Sequence, residues 1–366
     1  MKRIANFIPS LSGGGAERVV VNLLHAFDRT TVRPILITGT TSGPFANKIP
    51  KDVEVIDLKT PRMRHATRPL IKIMESQCAD LLVSHLSHAN IATLRAARKA
   101  SRRPAIAVVE HMTMSAYRGQ RFSDLFIKPL ARRYYPEADH VISVSYDAAR
   151  DLEQVLSLPA NSVKTIYNPV VSPELEKHAN EQVRSPLKQF SGKLVLGVGR
   201  LSKQKDFSTL IQAFSKLHAQ SKSPVHLAIL GTGEQQATLE ALIARLDLTQ
   251  AITLAGFQDN PYVWMKRADL FVLSSRWEAL PTALIEAMAC GTNVISTDCP
   301  SGPREIVPER FHRHLVPVGD VDCLAAQMQQ ILSDPVDPQE WITAARQFSF
   351  VHAANAYSDL LNHKSK

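Results

Sequence analysis

The chain has 366 residues, 45% of them hydrophobic, and a formal net charge of +9. That length suits about two domains, and the composition excludes a disordered chain. No run of about 18 apolar residues exists, which excludes a spanning helix, and the four cysteines (Cys78, Cys290, Cys299, Cys323) form neither a C-x-x-C nor a metal spacing, which points to a reduced, cytoplasmic protein.

The opening residues, MKRIANFIPS, have too short an apolar stretch for a signal peptide and read as a first strand. Further strands are expected at RPILIT, VEVIDL, DLLVSH, AIAVVE and HVISVS, with helices such as GAERVVVNLLHAF and ANIATLRAARKA between them. Near-continuous Val, Ile and Leu runs suit buried parallel strands, and alternation of strand with helix means a doubly wound α/β sheet. The pattern breaks at residues 167–193, which are polar and proline-rich. It restarts with LVLGVG, VHLAIL, AITLAG, LFVLSS, NVIST and HLVPV. The expectation is a Rossmann-like domain at 1–170, a linker at 171–192, a second Rossmann-like domain at 193–345 and a C-terminal helix at 346–366 packing back toward the first domain. Ligands in such sheets bind beyond the carboxyl ends of the strands, so two facing domains would place their sites across a cleft.

The stretch ALPTALIEAMACG has the marks of a helix. Pro281 fits its first turn and Gly291 the position after its last. Glu278 then lies in the loop leading in, while Glu286 sits inside the helix between apolar neighbours. Amides near Leu280, Thr282 and Ala283 at a helix start suit a phosphate, and a buried carboxylate at Glu286 needs donors such as a ribose diol. Upstream, Arg200 and Lys205 follow the strand LVLGVG and suit a diphosphate. Gly231 and Gly233 form a strand–turn–helix junction, and Gly13, Gly14 and Gly15 form another, where backbone can approach a phosphate or sugar. Asp320 and Asp322 in GDVD mimic a metal-binding D-x-D but precede a helix, so capping is the better reading. Arg304 in GPREI reads as part of a wall.

GGGAER at 13–18, EH at 110–111, GRLSKQKD at 199–206, the E-x7-E of Glu278 and Glu286, and the trailing AMACGTNVIST occur in that order. As an ordered set they resemble the retaining nucleotide-sugar glycosyltransferases of family 4, with GT-B architecture. The resemblance implies an acceptor-binding first domain and a nucleotide-sugar-binding second one. It implies that Glu286 holds the ribose, that Arg200 and Lys205 bind the diphosphate, and that Glu278 and His111 face the transferred sugar. The glycine loop would lie near donor and acceptor. No metal or other cofactor is expected, because the cations and the helix start supply the positive field. Glu110 has no assigned role.

Two rivals compete with this reading. A nucleotide-sugar epimerase would need acid/base carboxylates in both domains and no acceptor. A nucleic-acid-binding protein would draw on the basic first half, where residues 1–150 hold 23 Lys+Arg against 12 Asp+Glu. No zinc, helix-turn-helix or RNA-module signature supports it, so no nucleic-acid partner is expected. The basic, aromatic segment 117–139 offers another use for the charge. Arg118, Arg121, Lys128, Arg132 and Arg133 lie there with Phe122, Leu125, Phe126, Ile127, Leu130, Tyr134 and Tyr135. Such a segment suits an anionic membrane surface, although it also suits a helix packed on its own domain. The expected partners are a nucleotide-sugar donor, most readily UDP-linked, and a lipid-diphosphate-linked saccharide acceptor in surface polysaccharide or glycan assembly. The expected place is the cytoplasmic face of the plasma membrane.

Overall fold

A computed structural model describes residues 1–77, 79–115, 125–182 and 190–362. In chain order the strands and helices are β1 (Lys2–Ile8), α1 (Gly15–Ala26), β2 (Val32–Thr38), β3 (Glu54–Asp57), α2 (Thr67–Glu75), β4 (Leu81–His85), α3 (Ser87–Ala97), β5 (Ala105–Glu110), α4 (Ile127–Tyr134), β6 (His140–Ser143), α5 (Tyr146–Leu156) and β7 (Val163–Thr165). They continue with α6 (Leu175–Ala179), β8 (Lys193–Val198), α7 (Phe207–Gln220), β9 (Val225–Leu230), α8 (Gln236–Arg245), β10 (Ile252–Gly256), α9 (Tyr262–Arg267) and β11 (Leu270–Leu273). The last are α10 (Thr282–Ala289), β12 (Asn293–Thr297), α11 (Pro303–Ile306), β13 (Leu315–Val316), α12 (Val321–Ser333), α13 (Pro338–Ala345) and α14 (Phe350–Asp359).

The chain divides into two units, one of Met1–Val170 with Phe348–Lys366, the other of Val171–Gln347. The first holds a seven-stranded sheet in the order β3-β2-β1-β4-β5-β6-β7. All its pairings are parallel, as the apolar runs predict: Ile4, Ala5, Phe7 and Ile8 of β1 and Leu81, Leu82 and Val83 of β4 are buried. The helix α1 buries Val19, Val20, Leu23 and Leu24, one stripe at helical spacing. Across it lies α14, whose Phe350, Ala353, Ala354 and Tyr357 are buried. Each large apolar side chain so removed from water contributes about 1.5–3 kcal/mol. The C-terminal helix thus belongs to the first unit.

The second unit holds a six-stranded parallel sheet in the order β10-β9-β8-β11-β12-β13. Its core joins Phe207, Leu210 and Phe214 of α7 to Leu227 and Ile229 of β9 and to Leu324 and Met328 of α12. The stretch 171–192, expected as linker, opens with the helix α6. Leu175 and Ala179 are buried there, and Asn260 Nδ2 donates to the carbonyl of His178 at 2.9 Å, tying α6 to the start of α9. One strand has no counterpart in the expected set: β7, a three-residue strand, VKT, paired with β6.

Candidate active site

In each sheet the strand order reverses once, between β1 and β4 in the first and between β8 and β11 in the second. A doubly wound sheet opens a crevice at that point, outside the carboxyl ends of its strands. In the second unit the reversal brings together the loops 199–206 and 274–281. Ser274 Oγ donates to the Lys205 carbonyl at 2.8 Å, Arg276 N to the Gln204 carbonyl at 2.8 Å, and Gln204 Nε2 to the Trp277 carbonyl at 2.9 Å. Asp206, buried with φ +45°, accepts from Arg276 Nε at 2.9 Å. These bonds fix the backbone that carries Lys205 and Glu278. Lys205 Nζ lies 2.5 Å from Glu278 Oε1, which also accepts from Ser275 Oγ at 2.7 Å. Arg200, just past β8, is exposed and makes no ion pair among the described residues.

The helix α10 starts at Thr282 and not at Pro281. Pro281 has ψ 93°, an extended value, and so is the capping residue before the first turn. No side chain caps that end, and the amides of Thr282 and Ala283 have no acceptor among the described residues, so they face out as the helix start predicts. Leu280 is buried, and the loop after β12 packs on this turn so closely that a Cβ on Gly302 would meet Pro281 Cδ at 2.6 Å. Gly291, with φ +77°, closes the other end as expected. Glu286 is 4% exposed and accepts from the Tyr262 hydroxyl at 3.3 Å. Burial, with Glu286 nearby, pushes the Cys290 thiol up to about 12, and burial with Glu278 nearby does the same to Cys299, so neither is a nucleophile at neutral pH. Asp320 caps α12, accepting from Cys323 N at 2.9 Å, and Asp322 pairs with Lys216. Arg304 pairs with Asp298.

In the first unit Gly13 has φ +100° and Gly14 caps α1. The space beside Gly14 is filled by the chain's own carboxylate: an added Cβ would meet Glu17 Oε2 at 2.4 Å, and Ser12 Oγ donates to Glu17 at 3.2 Å. Gly15 faces open space. His111 follows β5, and its Nε2 lies 3.0 Å from His85 Nδ1. Glu110 points into the helix layer, where Ser87 Oγ (3.0 Å), Asn90 Nδ2 (3.3 Å) and the Tyr135 hydroxyl donate to it. Burial raises its carboxyl to about 7 against those bonds.

Each part of the chain also matches a family profile: "Glycosyltransferase Family 4" over residues 13–172 and "Glycosyl transferases group 1" over residues 179–348. The chain belongs to glycosyltransferase family 4. A relative from Campylobacter jejuni, N-acetylgalactosamine-N,N'-diacetylbacillosaminyl-diphospho-undecaprenol 4-alpha-N-acetylgalactosaminyltransferase, is 29% identical over 350 residues, 91% of each chain. A second from the same organism, an alpha-1,4-N-acetyl-D-galactosaminyltransferase acting on a GalNAc-containing undecaprenol diphosphate, is 24% identical over 95% of this chain and 93% of its own. The solved structure of HepE from Anabaena in complex with UDP has TM-score 0.78 at 22% identity, covering 99% of this chain and 100% of that one. That likeness shows the GT-B fold, with its two Rossmann-like domains.

The expected site residues of this glycosyltransferase fall out unevenly. Arg200, Lys205, Glu278, Leu280, Pro281, Thr282 and Glu286 gather at the second unit's reversal point. Gly231 stands at the end of β9, yet its own backbone explains it: φ is +133° and a Cβ would lie 1.9 Å from the Gly199 carbonyl oxygen. Tight packing between adjacent loops therefore requires glycine at 231 on its own account. Of the acceptor residues, Arg118 and Arg121 lie outside the described residues, as does Phe122. Lys128, Arg132 and Arg133 lie on α4, which buries Ile127 and Ala131 against its own domain, with Tyr135 just beyond. Arg132 donates to the Val155 carbonyl at 2.6 Å, whereas Leu125 and Phe126 are 67% and 53% exposed. The amphipathic pattern is thus shared: its inner side is core, and its outer rim is exposed. Among the described residues no helix is long and apolar enough to cross a membrane. Three partners had no sequence motif to mark them, Ser275 beside Glu278, Tyr262 over Glu286 and His85 beside His111, whereas Gln204, also beside Glu278, lies inside GRLSKQKD.

Proposed function

We propose that this glycosyltransferase moves a sugar, with retention of configuration, from a UDP-sugar to a hydroxyl of a lipid-diphosphate-linked saccharide, and that it needs no metal ion. The observation that carries the reading is the Lys205–Glu278 pair on the loop that leads into an uncapped α10, with Arg200 at the start of the loop that carries Lys205. A departing nucleoside diphosphate develops negative charge, and two cations with a helix N-terminus supply field where that charge forms. The buried carboxylate of Glu286 suits the paired hydroxyls of a ribose. Glu278, beside the phosphate-binding cation, stands where a transferred sugar would lie. Same-face attack, with a donor phosphate oxygen taking the acceptor proton, fits the family resemblance and leaves Glu278 its bond to Lys205. HepE is a UDP complex, which supports uridine. Both Campylobacter relatives are named for undecaprenol-diphosphate saccharides, which supports a lipid-linked acceptor and a role in surface polysaccharide or glycan assembly. The outer rim of α4, with Arg133 and the exposed Leu125 and Phe126, suits peripheral attachment to an anionic leaflet.

A thermal-shift screen of UDP-, GDP- and ADP-sugars tests the donor, since only a specific ligand stabilises in proportion to its occupancy. Transfer to a polyprenyl-diphosphate saccharide is then assayed in excess chelator. Stabilisation by UDP-sugars and persistent transfer are expected. Complete loss, restored by magnesium or manganese, refutes metal independence. Flotation with anionic liposomes should fall as salt rises, and equal activity on a lipid-free saccharide without flotation refutes the membrane reading.

A further inference from the structure

Three side chains of the first unit, two of them outside every motif, join β1, β4 and β5 in one line. Asn6 and His85 are fully buried, with Asn6 Oδ1 3.2 Å from His85 Nε2. On the other side of the ring His85 Nδ1 lies 3.0 Å from His111 Nε2, and the two imidazoles stack at 5.2 Å and 28°. Asn6 and His85 stand on the two strands between which the sheet order reverses. Directly after His85 the backbone is strained: Leu86 has φ +77° and ψ 136°, a conformation almost confined to glycine. Two bonds hold it there, Leu86 N to the Val109 carbonyl at 3.3 Å and Asn90 N to the Leu86 carbonyl at 2.9 Å. Strain of this kind persists where the surroundings over-determine a position, and such positions cluster at functional sites.

The line has a polarity. Burial pushes His111 down to about 4 and His85 well below its ordinary value, so both rings are neutral at pH 7. A neutral imidazole carries one proton. With the Asn6 carbonyl oxygen facing it, His85 donates from Nε2, and its Nδ1 can only accept. His111 therefore donates from Nε2, and its own Nδ1 is a bare acceptor. That atom is buried and has no partner among the described residues. We propose that Asn6 and His85 are positioning residues that hold His111 protonated on Nε2, so that Nδ1 accepts a hydrogen bond from a hydroxyl of the transferred sugar. The proposal rests on the glycosyl-transfer reading, but its first readout needs no substrate.

The full-length protein is labelled with isotopic nitrogen in histidine, and long-range proton–nitrogen spectra are recorded near pH 7, with His111→Gln assigning the signal. His111 is expected to carry its proton on Nε2. In Asn6→Leu the tautomers should mix and kcat should fall about tenfold, the size of one hydrogen bond, with donor KM changed less. Asn6→Asp keeps an oxygen toward His85 and should restore both readouts. A wild-type His111 protonated on Nδ1 overturns the proposal without any variant having to fold. So does an Asn6→Leu variant with unchanged tautomer and kcat. A wild-type protein that transfers sugar from no nucleoside diphosphate donor overturns the proposed function instead, and the spectrum still decides the tautomer.

Discussion

Replacing Glu278 with glutamine should tighten the binding of a nucleoside diphosphate while slowing sugar transfer. The carboxylate is held 2.5 Å from Lys205 Nζ, and the two side chains are 8% and 17% exposed. This is not the solvated kind of ion pair that contributes almost nothing. A hydrogen bond to a charged group contributes about 1.5–3 kcal/mol, and one between neutral groups about 0.5–1.5. A diphosphate that recruits Lys205 must give up an ion pair, at the upper end of that charged range, in the native protein, and in Glu278→Gln a bond from the same ammonium to a neutral amide oxygen, at its lower end. The difference, roughly 1–1.5 kcal/mol, corresponds to an about five- to tenfold lower Kd. Turnover should move the other way, because the sugar loses a carboxylate. Calorimetric titration with UDP, alongside transfer rates on the same preparations, separates the two. A Kd that is unchanged or raised would mean that Lys205 stays on Glu278 when nucleotide binds, and would remove it from the diphosphate site.

Glu286→Ala should weaken UDP binding by about tenfold or more, the loss of one charge-assisted bond, as read by calorimetry; equal affinity would end the ribose assignment. Glu110→Gln should change how stability depends on pH. The folded protein keeps a proton on Glu110 up to about 7, while an unfolded chain releases it near 4.5, so this group's contribution is complete below about 4.5 and is lost as pH rises through about 7. The Tm of the wild type minus that of Glu110→Gln should therefore fall across that window, and parallel curves would contradict it; His111, held down at about 4, acts in the opposite direction in both proteins and cancels. Gly231→Ala should lower Tm strongly or prevent folding, since its Cβ would lie 1.9 Å from a carbonyl oxygen, whereas Gly15→Ala, with open space ahead, should keep Tm and reduce transfer only if that loop meets substrate.

Local chemistry made part of this molecule legible. The apolar runs located twelve of the strands, because strands buried on both faces leave no alternation to misread. Proline and glycine bracketed α10 because each suits one helix end only. Lys205 and Glu278 were legible as candidate site residues, but their pairing was not, since it depends on bonds between loops 73 positions apart in sequence. The Asn6–His85 contact spans 79 positions and follows no motif. A signal was present all the same: an asparagine inside RIANFI and a histidine ending DLLVSH are polar groups among the apolar side chains of buried strands, and such groups need partners. Gly231 carries a second demand that the sequence does not show, because a glycine that admits a neighbouring backbone has the same one-letter signature as one that admits a phosphate. The linker reading of 171–192 failed at α6, where five residues are too few for a helical period to register.

The excursion of the chain out of the first unit at Val170 and back at Phe348 has a kinetic consequence. Val170 N bonds to the Phe348 carbonyl at 2.9 Å, so the exit and the return are stitched side by side. The first unit is therefore unfinished when its own 170 residues have left the ribosome: α1 waits for α14, which emerges only after the whole of the second unit. At ordinary translation rates that delay is about ten to forty seconds. During it the second unit, continuous in sequence, is free to fold first, and the face of α1 that later meets α14 is bare. A trigger for aggregation, or a handle for a chaperone, is thus written into the order of synthesis, and a circular permutant that opens with α14 would shorten that exposure.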